Sequence, residues 1–350
     1  MERAILKEDA QVKLLRSKTY NYNFDKATGF FERWGERKED NPECSPFGPE
    51  IWDCEITTSC SGPSGTPCAF CYKSNTPAGI NLSFENFKIM IDKFPKTLTQ
   101  VAFGADATLK SNLDLWKMME YSKSIGIIPN ITVANIANET AANLAKYCGA
   151  VAVSRYADKN ICYDSVAKLT SLGMSQVNIH QMISDETYEQ ALETADDAST
   201  DPRLKGLNAI VFLGLKPKGR ARGRFNLLPY EKFDFLFQKC INKNIGFGFD
   251  SCSAGKFIRS VDGMSAGEGV KTALKEMAEP CEAYLFSFYT NAEGFTFPCS
   301  FTEDEGKWKE GINMLEIKDF MKDIWGSPKV KEWQEVMKVK RECLTFPEIN

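Results

Sequence analysis

The sequence predicts an α/β protein: a series of βα units, followed by a smaller C-terminal α+β region. Three observations carry this. From Ile51 to about residue 250, apolar runs of strand length alternate with amphipathic runs of helix length. A length of 350 residues fits a closed or partial α/β barrel of about 200–250 residues plus an appendage. Hydrophobic residues at 43% and charged residues at 26% allow a sizeable core and argue against wholesale disorder.

Residues 1–50 are polar. In them Thr19–Phe24 and Phe30–Trp34 flank Asp25–Gly29, which reads as a hairpin turn, and a Pro/Gly stretch from Asn41 to Pro49 closes the segment. The strand-like runs are then Ile51–Thr57, Gln100–Phe103, Ile127–Val133, Ala150–Val153, Gln176–Ile179 and Asn208–Leu213, with a further candidate at Ile245–Phe249. Helical patterns lie between them at Ser83–Phe94, Leu113–Ser124, Glu139–Tyr147, Tyr163–Leu172, Asp185–Thr194 and Tyr230–Asn242. Ser83 and Asn112 open two of these as N-caps. Consecutive βα units imply a parallel sheet with helices outside, either a barrel or a doubly wound fold, and in both the ligand sits at the C-terminal ends of the strands. Beyond residue 250 come Gly/Ser-rich segments and a hairpin (Ala283–Thr290, turn Asn291–Gly294, Phe295–Pro298). Short helical patterns at Ile317–Ile324 and Val330–Val339 complete the chain.

Charge and cysteine usage narrow the chemistry. A net charge of −4 argues against a general nucleic-acid binder. The N-terminus reads MERAILKEDAQVKLL, with no apolar signal core, and no apolar run approaches the ~18–20 residues that span a bilayer. A cytoplasmic location without membrane association is therefore expected. In a reducing compartment twelve cysteines point to metal or redox chemistry rather than disulfides. A single histidine, His180, removes His-rich zinc, non-haem iron and Ser-His-Asp sites.

Cys60, Cys68 and Cys71 lie on one Gly/Pro-rich loop directly after the first strand of the series. Three thiolates on such a loop can wrap a [4Fe–4S] cubane and leave one iron open. Structural zinc is the alternative, but it normally takes four ligands. The position of the loop and the aromatic residue Phe70 before its last cysteine resemble the radical S-adenosylmethionine (SAM) superfamily. The usual spacing there is Cys-x3-Cys-x2-Cys. This chain has Cys-x7-Cys-x2-Cys, with Tyr72 next.

The resemblance runs from about Ile51 to Leu215 and implies a partial (β/α)6 TIM barrel that binds SAM. Gly104, Ala105 and Asp106 stand where the family has its Gly-Gly-Glu-Pro segment, so Asp106 would accept the SAM amino group as a charge-assisted pair. Asn135 resembles the family's third-strand end, and Ser154 and Arg155 its contacts to ribose and carboxylate. His180 ends the fifth strand on the active-site side; the resemblance implies a cofactor contact there, and a structural imidazole is the alternative.

A second set follows. Cys281-x12-Gly294-x4-Cys299 is similar to the Cys-x9–15-Gly-x4-Cys element of SPASM and twitch extensions, which bind auxiliary [4Fe–4S] clusters. Cys252 and Cys343 could complete four ligands. No close Cys-x2-Cys pair is present for a second auxiliary cluster, so the resemblance implies one, with zinc as the alternative. The remaining cysteines read as structural: Cys148 and Cys240 close i, i+3, i+4, i+7 patterns, Cys162 packs near Val166 and Leu169, and Cys54 shares a strand face with Trp52 and Ile56. Cys44 is left open.

Lys216–Arg224 carries five cations in nine residues. It reads either as a clamp on an anionic group or as a solvated loop. Asp250, beside Cys252, is a candidate acid/base. The domains expected are an N-terminal hairpin extension at 1–50, a radical SAM partial barrel at 51–250 and a small α+β iron–sulfur domain at 251–350. The resemblance implies an enzyme that cleaves SAM reductively and abstracts hydrogen from a peptide or protein, using an electron donor such as flavodoxin or ferredoxin. The N-terminal segment is short for a leader-binding winged helix, which weakens the peptide reading. A small molecule or nucleotide as substrate, and a non-catalytic zinc-stabilised binding protein, are the alternatives.

Overall fold

A computed structural model describes residues 3–349. Strands β1 (Ile5–Glu8), β2 (Val12–Arg16), β3 (Asn21–Asp25) and β4 (Phe31–Trp34) form an antiparallel sheet in chain order. The turn at Asp25–Gly29 joins β3 to β4 in the register Phe24↔Phe31. Alternation in β2 buries Leu15, and with Tyr20, Tyr22 and Phe24 it packs on Leu285, Phe286 and Met337. Two polar ties fix this sheet. Buried Lys13 donates to the Leu98 carbonyl at 2.8 Å, and Arg33 pairs with Glu50 at 2.9 Å and with Glu282 while lying over the Phe286 ring.

The large sheet holds β5 (Ile51–Glu55), β6 (Gln100–Gly104), β7 (Ile128–Val133), β8 (Ala150–Ser154), β9 (Val177–Ile183), β10 (Ala209–Gly214) and β11 (Phe247–Phe249), all parallel and adjacent in chain order. Helices α1 (Phe84–Ile91), α2 (Leu115–Ser124), α3 (Asn138–Tyr147), α4 (Lys159–Ser171), α5 (Tyr188–Asp197) and α6 (Tyr230–Lys243) connect them. This is the alternating α/β arrangement the sequence predicts. At the free edge of β5 the chain adds β12 (Ser287–Thr290), parallel to it, then β13 (Phe295–Phe297) and β14 (Ile312–Asn313), antiparallel. The C-terminal hairpin thus continues the same ten-stranded sheet.

The period-2 pattern divides the sheet's faces. Trp52, Val101, Phe103, Ile131, Val153, Ile179 and Phe212 are buried in the main core. Between them along the strands stand Asp53 and Glu55, Asn130 and Thr132, Ser154, and Asn178 and His180. Ala102, Gly104, Ala150, Ala152 and Ala209 share that second face by register and leave room over it.

Local signals explain most boundaries. Ser83 caps α1 by accepting from the Asn86 N–H at 3.2 Å. Asn112 does not cap α2, whose N-cap is Asp114; its amide donates instead to the Ile56 and Leu82 carbonyls at 2.7 and 2.9 Å, tying the end of β5 to the start of α1. α4 begins at Lys159 because the Asp158 side chain caps it. Two helices lie in the Gly/Ser-rich stretch where the sequence predicts none, α7 (Ala254–Gly263) and α8 (Glu268–Glu276). α9 (Pro328–Lys340) is capped by Ser327.

Candidate active site

A cavity of about 470 Å³ opens at the C-terminal ends of the parallel strands, where the connectivity puts the loops. The sulfur-bearing loop leaves β5 and returns before α1. It is pinned at its neck, where the Cys60 N–H donates to the Thr76 carbonyl at 2.9 Å, and at its tip, where the Cys71 N–H donates to Cys68 at 3.3 Å. The four residues beyond the usual first gap are taken up in a turn. Gly62 sits there at φ +73°, and a Cβ would collide with the Thr66 carbonyl. The long gap therefore folds away, and Cys60, Cys68 and Cys71 all border the cavity as free thiols.

Among the described residues no three His, Cys, Asp or Glu side chains are spaced to hold a single metal ion. Burial raises the Cys68 thiol's pKa, opposed by a hydrogen bond from the Tyr156 phenol. That donor favours the thiolate a metal requires. Phe70 stacks on Tyr156 with ring centroids 5.7 Å apart, and the Tyr72 ring lies 4.5 Å from Phe301 while its hydroxyl donates to Ser300 at 3.1 Å.

Gly104, Ala105, Ser154, Arg155, His180 and Asp250 also line this cavity, with Phe70 and Tyr72. Arg155 is 3% exposed and pairs with Glu193 at 2.7 Å, yet its Nε is buried without a partner. Burial lowers the His180 pKa to about 4, so the imidazole is neutral near pH 7. Its Nδ1 is 3.4 Å from the Thr132 hydroxyl.

Asp106 and Asn135 lie outside the cavity wall. The Asp106 carboxylate is buried and accepts from the Thr108 N–H and hydroxyl, the Lys110 N–H and the Ser111 N–H at 2.9–3.2 Å. It caps its own loop and does not border the cavity, whose wall takes its neighbours Ala105 and Ala107. Asn135 instead donates to the Pro63 carbonyl at 3.3 Å and supports the cysteine loop from outside.

The cavity carries charged groups that sequence reasoning missed. Lys73 lies 3.2 Å from Glu55, pairs with Glu303 and donates to the Tyr289 hydroxyl at 2.8 Å. Asn291 completes the cluster by donating to Glu303 at 2.8 Å. The signal was present in β5, where Asp53 and Glu55 alternate with apolar Trp52 and Cys54. Asp250 pairs with Lys216 and accepts from Ser253 at 2.7 Å.

The second cysteine set converges as well. The Cys252 and Cys343 sulfurs share a hydrogen bond, and Cys281 and Cys299 lie within electrostatic reach of each other and of Cys252. The Lys216 ammonium faces this group too. Cys54, Cys148, Cys162 and Cys240 are buried in the core, and Cys44 packs beside the N-terminal sheet. The basic loop does not form a free clamp: Lys216 pairs with Asp250, and Lys218 and Arg220 donate to backbone carbonyls.

No protein-family model and no curated protein matches the sequence. Solved structures do match. Native anSMEcpe with bound AdoMet and Cp18Cys peptide aligns with TM-score 0.54 and 17% identity, over 81% of this chain and 82% of that one. BtrN in complex with AdoMet and 2-DOIA aligns over 83% and 87%, at 11% identity and TM-score 0.26. The chain shares the fold of anSMEcpe over four-fifths of its length.

Proposed function

We propose that this chain is a radical SAM enzyme acting on a peptide or protein side chain. The observation that carries the reading is the convergence of Cys60, Cys68 and Cys71 on one cavity at the strand ends, in the fold of a protein solved with AdoMet and a peptide. In this reading the parallel strands form a partial (β/α)6 barrel over residues 51–250, residues 1–50 are an N-terminal extension, and residues 251–350 carry a twitch-like domain. Cys252, Cys281, Cys299 and Cys343 there hold one auxiliary [4Fe–4S] cluster.

The donor set fits the first cluster: Cys60, Cys68 and Cys71, three cysteines from one loop, would hold it and leave it open to SAM. When bound, the cluster and SAM would supply one-electron cleavage of SAM to methionine and a 5′-deoxyadenosyl radical, which abstracts hydrogen from an unactivated C–H bond. The rest falls to the chain. Gly104 and Ala105 leave space for SAM at the end of β6, and the unpaired Arg155 Nε offers it a donor. Ser154 and neutral His180 line the same wall. Phe70, Tyr156 and Phe301 exclude water. Lys73 with Glu55, and Lys216 with Asp250, place polar groups where a substrate would enter. Asp250 is the cavity carboxylate best placed to take a substrate proton beside the second cysteine set.

Anaerobically purified protein should be brown and hold about eight irons per chain, as two cubanes, falling to about four in Cys68→Ala. Colourless protein carrying zinc would contradict the reading.

A further inference from the structure

The basic loop joins the two cysteine sets. The Arg220 Nε donates to the Cys68 carbonyl at 2.8 Å and its Nη1 to the Asn75 carbonyl at 2.9 Å, while its N–H donates to Cys71 at 3.0 Å. Gly219 beside it is at φ +57°, and any Cβ would strike the Cys71 and Tyr72 carbonyls. Lys218 points the other way. It is 8% exposed, and its ammonium donates to the Glu303 carbonyl, to Phe301 at 3.3 Å and to Ser300 at 3.5 Å. Ser300 and Phe301 directly follow Cys299.

Lys218 is buried and donates to backbone carbonyls; Glu303, Asp304 and Glu305 offset part of its desolvation, but burial still lowers its pKa. Groups so costly persist where they fix something. The atoms they fix here are main-chain oxygens within four residues of Cys68, Cys71 and Cys299.

We infer that Arg220 and Lys218 are positioning residues, Arg220 for the three-cysteine loop and Lys218 for the Cys299 segment, and that Lys216–Arg222 is a bracket setting the two sites relative to each other. The bracket gains its catalytic meaning from the cluster reading above, but its geometry is independent of any metal. Charge-assisted hydrogen bonds from Arg and Lys to carbonyls are among the stronger polar contacts, and removing one should loosen its segment.

The test is hydrogen–deuterium exchange on the full chain, with iron content measured in parallel. Arg220→Met should speed exchange about tenfold at the Cys71 and Ser74 amides, which donate within the loop, and leave Thr302 and Glu305 as in wild type. Lys218→Met should do the converse. Iron should fall by about half in each variant, from the site on its own side. Arg220→Lys, which keeps the charge but not the planar fork, should restore only part of the protection and serves if the Met variant does not fold. Exchange that rises evenly across the sheet, or stays at the wild-type level in both loops, overturns the bracket. Wild-type protein without iron would count against the cluster reading, while the exchange result still decides the bracket.

Discussion

His180 is the one imidazole in the chain, and its environment decides its charge. Burial lowers its pKa from 6.5 to about 4, so the folded state resists protonation. Between those values the unfolded chain binds the proton more readily. The stability contribution is therefore complete above about pH 6.5 and is lost as pH falls toward 4. The stability advantage of wild type over His180→Gln, read as the difference in denaturant midpoints, should shrink steadily between pH 6.5 and 4; a constant difference would show that His180 is not held neutral. At this scale the sequence marked out the three cysteines that border the cavity, because cysteines on one loop have few other uses. It concealed the meeting of Lys73, Glu55 and Glu303. They come from three separate segments and meet only when β12 adds to the edge of β5.

Asp106 shows how an element can absorb a residue that sequence analogy assigns to a ligand. The turn from β6 to α2 needs acceptors for its own N–H groups, and the Asp106 carboxylate supplies them. Asp106→Ala should leave those buried donors unmet and lower stability by about 1–3 kcal/mol, measurable by urea unfolding. An unchanged midpoint would return Asp106 to the ligand. The same local competition moved the cap of α2 to Asp114 and freed Asn112 to hold β5. Helices α7 and α8 went undetected in a Gly/Ser-rich stretch although their helical periodicity is strong, and α8 has no buried residue. The βα series was legible because each strand buries a continuous apolar face under its helices.

At the scale of the molecule, the parallel sheet collects its loops at one end, and the three-cysteine loop lies there. The composition and periodicity foretold the sheet. They could not foretell that β12, β13 and β14 would extend it past β5, since strand pairing across more than 200 residues leaves no local trace. That extension brings Tyr289 and Phe301 to the cavity wall. The central claim is that the three-cysteine loop, with its long first gap, is competent for SAM cleavage. The direct measurement is release of 5′-deoxyadenosine when anaerobic protein is incubated with SAM and dithionite. Wild type should release it and Cys68→Ala should not; equal release by both, or none from iron-loaded wild type, would contradict the account.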